Sequence, residues 1–293
     1  MEGLRIPERL DWLRGSEAGR EWLAGLPTTL AECAAQWSLR VAEPYPYSYV
    51  SLVLPATLPD GTEAVLKLQF PDPDSTHEAA ALRLWGGDGA VRLLAHDEPR
   101  LALLLERCVP GSPLSEVAPE QALTALIGLL PRLWRPAGGP FAAGSEQARH
   151  WADELALRWE RAGQPCERRL VDAAAGTLRA LTDSQGEQLV LNQDLHVNNV
   201  LRARREPWLV IDPKPLLGER ELAIAPLVRD YGLGHGRAEV QHRLDLLTGE
   251  LGADRERARG WSLGYAVVWA FLDEEGRTRH FETARWLLPA PPV

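Results

Sequence analysis

The sequence predicts an α+β chain in two lobes, a small β-rich N-lobe over residues 1–108 and a larger, mainly helical C-lobe over residues 109–293. Three observations predict it. Up to Leu105 the chain is a series of short alternating apolar runs with few helical stretches among them. From Val109-Pro110-Gly111 onward, long helical stretches surround a small β-rich island. Nowhere do strand and helix alternate regularly, as a doubly wound sheet would require.

The elements follow in order. Leu30, Cys33, Ala34 and Trp37 fall at i, i+3, i+4 and i+7, one apolar helical face that begins near Pro27. Pro44 and Pro46 break the chain after it, because proline disfavours helix at itself and at the residue before. Val50, Leu52 and Leu54, then Ala64, Leu66 and Leu68, alternate on either side of Asp60-Gly61 and read as a β-hairpin. Ser75 and Glu78 have the spacing of a capping box before an alanine-rich run that Gly86-Gly87 ends. Residues 91–95 and 101–105 read as two more strands. Helices are expected over 121–134, 146–162 and 167–181, the β island over 188–212, and helix again from Glu221 with a glycine-rich break at 229–237.

Composition narrows the function. The 293 residues are 45% hydrophobic, enough for a substantial core. A formal net charge of −9 lacks the basic field that nucleic acid binding requires and suits a cationic small molecule better. Cys33, Cys108 and Cys166 are sparse, odd in number and without CxxC spacing, which argues against a disulfide framework and a zinc site. The first residues, MEGLRIPERLDWLRGSEAGR, are charged throughout and have no apolar core of a signal peptide. No stretch approaches the ~18 apolar residues of a membrane span. A cytoplasmic protein with no membrane partner is expected.

The chemistry concentrates in residues 191–201 (LNQDLHVNNVL) and 208–213 (WLVIDP). Two apolar stretches flank a polar loop that carries Asp194 and, five residues on, Asn199; Asp212 ends the next apolar run. Phosphoryl transfer needs such groups. One carboxylate orients the attacking hydroxyl and takes its proton, while another carboxylate and an amide oxygen hold magnesium, a hard ion that prefers oxygen ligands.

These residues resemble the aminoglycoside phosphotransferase family of the kinase-like superfamily, whose catalytic stretch H-G-D-x-H-x-x-N matches Asn192-Gln193-Asp194-Leu195-His196-Val197-Asn198-Asn199. The stretch 208–219, with Asp212-Pro213-Lys214-Pro215, is closest to the streptomycin 6-phosphotransferase and hydroxyurea phosphotransferase branch, and the likeness extends to residues 91–97 and 103–111. The resemblance implies a protein-kinase-like fold and transfer of the γ-phosphate of ATP, with Mg2+, to a small-molecule hydroxyl. It implies Asp194 as catalytic base and Asn199 and Asp212 as metal ligands. Lys67 is implied as the strand lysine on the phosphates, with Glu78 as its helix partner. Glu106-Arg107-Cys108 resembles the hinge that holds adenine through backbone groups, and Lys214 is placed to stabilise the transferred phosphate. Ser48, in the expected nucleotide-covering loop, has a hydroxyl for a phosphate. Asp273, Glu274 and Glu275 are the acidic group expected to meet a cationic substrate. His196 reads as a packing residue rather than a base.

The chain departs from the family at three residues. Asn192-Gln193 replaces His-Gly, and Ala223 stands where an Asp anchors the loop. No G-x-G-x-x-G precedes Lys67, and little chain separates Asp212 from the C-terminal helices, which disfavours a protein kinase. The leading expectation is a kinase for a streptomycin-type aminoglycoside or hydroxyurea. The alternatives are a nucleotide-binding pseudokinase and a kinase of a metabolic sugar or amino alcohol. ATP against GTP, and oligomeric state, stay open.

Overall fold

The structure, a computed structural model, describes residues 4–72, 76–136 and 138–289. The chain divides into two compact units, residues 1–111 with 202–209, and residues 112–201 with 210–293.

In the first unit, α1 (Glu17–Gln36) precedes an antiparallel sheet of β1 (Arg40–Val41), β2 (Ser51–Thr57), β3 (Glu63–Gln69), β4 (Leu93–Asp97) and β5 (Ala102–Glu106), in the order β1-β2-β3-β5-β4. The expected hairpin is β2–β3, with Leu54 opposite Leu66. Asp60 Oδ1 accepts the Thr62 N–H at 2.9 Å in its turn, and Gly61 takes φ +86°, a backbone conformation open to glycine. Leu52, Leu54, Leu66, Leu68 and Leu104 are buried against Leu23, Leu26, Leu30 and Cys33 of α1.

Several expectations are corrected here. The first helix begins at Glu17, not near Pro27, which lies inside it. Ser16 caps it, its hydroxyl oxygen accepting the Gly19 N–H at 3.0 Å. An interior proline costs about 3 kcal/mol or more. Burying a Leu contributes about 1.5–3 kcal/mol, and the helix buries Leu23, Leu26 and Leu30. The buried face therefore outweighs the proline. The capping box is also corrected. α2 (Glu78–Trp85) has His77 at its N-cap, so Glu78 is the first helical residue; Ser75 lies outside the described residues. The Gly86 stop is present as a left-handed C-cap. β1 is too short for any periodicity to reveal.

The second unit is mainly helical: α3 (Pro119–Leu133), α4 (Gly144–Arg161), α5 (Arg168–Thr182), α6 (Arg220–Arg229), α7 (Arg237–Leu251), α8 (Arg255–Leu272) and α9 (Arg277–Leu287). The β island comprises β6 (Leu189–Asn192) and β9 (Pro215–Gly218) of this unit, with β7 (Val200–Arg202) and β8 (Trp208–Val210) at the points where the chain passes from one unit to the other. It runs past the expected limit at Asp212 because β9 pairs with β6, Asn192 facing Pro215; proline is tolerated as the first residue of a strand. α8 packs on α5, α6 and α9. Glu219 is buried at the start of α6. Its carboxylate accepts from Arg257 Nη2 at 2.6 Å, Trp261 Nε1 at 2.6 Å and the Gly186 N–H at 2.8 Å, tying α8 to the β island. Among the described residues no helix is long and apolar enough to cross a membrane.

Candidate active site

In the first unit the period-2 alternation of β3 puts Lys67 and Gln69 on one buried face. Lys67 Nζ lies 2.6 Å from Glu78 Oε2, and Gln69 Nε2 donates to the same oxygen at 2.7 Å. The lysine is 6% and the carboxylate 1% exposed, so the pair is desolvated and its geometry is fixed. Gln69 was not anticipated, although its spacing of two from Lys67 was the available signal.

Glu106 uses its side chain within this unit, accepting from Arg205 Nε at 2.8 Å and the Arg92 N–H at 3.0 Å. Burial pushes its pKa up, but the Arg205 guanidinium and the Arg92 N–H outweigh this and hold it below the usual carboxylate range. Its own N–H donates to the Arg92 carbonyl at 2.9 Å. Cys108, two residues on, is half-buried, and burial pushes its thiol up to about 12. Ser48 is half-buried in the loop between β1 and β2. There Tyr45 N–H donates to the Val53 carbonyl at 2.8 Å, and Trp12 Nε1 donates to the Tyr49 carbonyl at 2.9 Å.

In the second unit β6 delivers the chain into the polar loop. Asn192, its last residue, is buried, and its Oδ1 accepts the Asp194 N–H at 3.1 Å and the Lys214 N–H at 3.0 Å. One amide oxygen thus braces both the Asp194 loop and the segment after Asp212. The Gln193 N–H adds a bond to the Lys214 carbonyl at 3.0 Å. Asp194 is 14% exposed on its side chain, with Oδ2 3.2 Å from Lys214 Nζ. Asn199 Nδ2 donates to the Asp194 carbonyl at 3.2 Å, and the Asn199 carbonyl accepts the Ile211 N–H at 2.9 Å. Asp212 has φ +49°, a conformation non-glycine residues adopt with strain, which gathers at functional sites. Asp194, Asn199 and Lys214 are therefore gathered around one loop, and Asp212 lies next to Ile211 in the segment bonded to Asn199. His196 Nδ1 accepts the Asn198 N–H at 3.3 Å, a local turn bond.

One residue outside the expected set braces this loop. Asp230, just beyond α6, accepts the Val197 N–H on Oδ2 at 3.0 Å. Arg229, before it, stacks its guanidinium on Trp269, 4.0 Å from the ring centroid. Asp273 closes the turn between α8 and α9, accepting the Gly276 N–H at 2.9 Å and meeting His280 Nε2 at 3.1 Å. Burial raises its pKa, and those two partners outweigh burial and lower it. Glu274 and Glu275 are exposed at the same turn, Glu274 paired with Arg277 at 3.2 Å.

Residues 36–276 match the model of the aminoglycoside/hydroxyurea antibiotic resistance kinase family. The chain is 45% identical over 275 residues to a hydroxyurea phosphotransferase of Kitasatospora aureofaciens, covering 89% of this chain and 78% of that one. It is 40% identical over 272 residues to a streptomycin 6-kinase of Streptomyces griseus, covering 90% and 88%. Among solved structures, the choline kinase LicA of Streptococcus pneumoniae shares the fold, with a TM-score of 0.63 at 11% identity over 89% of this chain and 98% of that one.

Proposed function

Because the chain belongs to the aminoglycoside/hydroxyurea antibiotic resistance kinase family and is a small-molecule phosphotransferase, we propose that it moves the γ-phosphate of ATP to a hydroxyl of a streptomycin-type aminoglycoside or of hydroxyurea. The observation that carries this reading is the bracing of Asp194 and Lys214 by the single amide of Asn192.

Asp194 orients the acceptor hydroxyl and takes its proton, mostly late, so its contribution is chiefly positional. Lys214, 3.2 Å away, keeps the carboxylate in place and offers positive charge to the moving phosphoryl group. Lys67, fixed by Glu78 and Gln69, serves the α- and β-phosphates. Asn199 donates through Nδ2, which leaves its Oδ1 as the atom for a hard cation, and Asp212 adds a carboxylate. Two protein oxygens suit Mg2+, which takes its remaining ligands from phosphates and water. Bound Mg-ATP supplies the phosphoryl group and neutralises its charge. A nucleotide binder without transfer was suggested by the changes at Asn192-Gln193 and Ala223. Asn192 and Asp230 furnish the loop with bracing, which favours a working enzyme.

The test is ADP release from Mg-ATP with aminoglycosides, hydroxyurea and amino alcohols as acceptors. Saturable turnover is expected, falling at least ~10²-fold in Asp194→Ala. A loss smaller than about tenfold removes Asp194 from the role of base.

A further inference from the structure

Arg243 of α7 is 1% exposed, an unusual place for a guanidinium, whose burial is costly unless hydrogen bonds repay it. Among the described residues its bonds run to main-chain carbonyls. Nη2 donates to Val228 at 2.6 Å, and Nη1 donates to Leu233 at 2.9 Å and to Gly234 at 3.1 Å. Burial pushes its pKa down to about 10, so it stays charged at neutral pH. Val228 belongs to the last turn of α6, where carbonyls have no partner within the helix. Leu233 and Gly234 close the tight turn Tyr231–Leu233 that follows. One cation therefore clasps both ends of residues 228–234, and a cation suits carbonyls that end helical turns.

The clasped segment carries Asp230. Its Oδ1 accepts the Gly232 N–H at 2.9 Å and its Oδ2 accepts the Val197 N–H at 3.0 Å. Val197 is three residues after Asp194 and two before Asn199. Packing brings the same two pieces of chain together, since a methyl group added to Gly232 would meet Val197 Cγ2 at 2.8 Å. The aim of the Asp230 carboxylate depends on the backbone beneath it. Gly232 and Gly234 give that backbone the greatest conformational freedom, and Gly234 takes φ +96°. The order that glycine does not supply has to come from outside the segment, and the Arg243 fork supplies it at both ends.

We propose that Arg243 is a positioning residue for phosphoryl transfer: it fixes residues 228–234 so that Asp230 holds the Asp194 loop in place. The inference rests on the kinase reading and adds to it a residue that acts through Asp230. A planar fork with separate nitrogens reaches both ends of the segment, which a single ammonium does not reproduce. The charge alone is therefore not sufficient.

Steady-state kinetics with Mg-ATP, with hydroxyurea and streptomycin as acceptors, test this on the full chain, alongside hydrogen exchange of the peptide spanning residues 194–199. Arg243→Met should lower kcat by about 10- to 100-fold and Arg243→Lys by roughly tenfold, with the KM for ATP within about twofold. The unchanged KM also reports that each variant is folded, and Arg243→Lys keeps the test open where the methionine variant does not fold. Adding Arg243→Met to Asp230→Ala should lower kcat by less than about twofold further, because the two act as a unit. The 194–199 amides should exchange at least ~10-fold faster in Arg243→Lys and in Asp230→Ala than in the parent. A parent-like kcat in both Arg243 variants would overturn the inference. So would losses that multiply in the double variant, or loop exchange unchanged in Arg243→Lys. These results leave the kinase reading intact. No transfer by the parent to any acceptor would overturn the kinase reading instead, and loop exchange would still decide whether Arg243 holds the anchor.

Discussion

Asp230 directs one carboxylate oxygen to the Val197 N–H at 3.0 Å and the other to the Gly232 N–H at 2.9 Å. It thereby fastens the loop bearing Asp194 and Asn199 to the end of α6. Ala223, where the resemblance implies an anchoring Asp, is buried within α6. Removing the anchor should displace the base without removing it, and a misplacement near 1 Å costs roughly 10²-fold in rate. Asp230→Ala is accordingly expected to lower kcat by about 10- to 100-fold with little change in the KM for ATP. A kcat within about twofold of the parent would show that the Val197 bond does not position the loop. The residue illustrates what was legible beforehand. Asp194, Asn199 and Asp212 stand out because polar chemistry sits between apolar strands at a characteristic spacing. Asp230 acts through a partner 33 residues away, a distance no local pattern encodes.

At the scale of elements the same division holds. The β2–β3 hairpin and α2 were readable because turn residues and alternation are local. The start of α1 was not, because Pro27 is overridden by burial against a sheet formed later in the chain. β9 was hidden for a similar reason, since it exists by pairing with β6. The α5–α8 contact depends on another tertiary detail. A methyl group on Gly264 of α8 would overlap the Leu178 side chain of α5, which is itself fully buried. Gly264→Ala gains about 1 kcal/mol in helix propensity. Overpacking a close contact costs about 1–3 kcal/mol, so the net expectation is destabilisation. Denaturant unfolding should show the midpoint lowered with an unchanged m-value, while Gly249→Ala, where the added methyl meets nothing within 4 Å, should be neutral or stabilising. Equal midpoints for the two variants would contradict the close packing of α5 on α8.

The stability of the whole molecule against pH brings these terms together. A chain of formal charge −9 repels itself, and mild acid relieves part of that repulsion. His280 acts in the opposite direction. Its ring is fully buried, with Nε2 3.1 Å from Asp273 Oδ2, and Tyr231, Arg229 and His235 are its other polar surroundings. Burial, followed by the Arg229 charge, pushes its pKa below 6.5, and Asp273 offsets this only in part. The sign follows from linkage. Below about pH 6.5 the unfolded chain binds a proton that the folded protein resists, so stability declines as pH falls and the loss levels off once the folded histidine also titrates. Glu167, held down to about 2 by Arg285, loses its contribution only at lower pH, as unfolded carboxylates protonate. A window from about pH 7 to about pH 5 therefore isolates the histidines. His96 is shifted in the same direction, so the informative quantity is a difference between proteins. His280→Gln should show a smaller fall in unfolding free energy across that window than the parent, with His96→Gln as the companion variant. If the parent and His280→Gln curves run parallel, the imidazole is not being kept neutral by the fold, and the α8–α9 turn owes its pH response to another group.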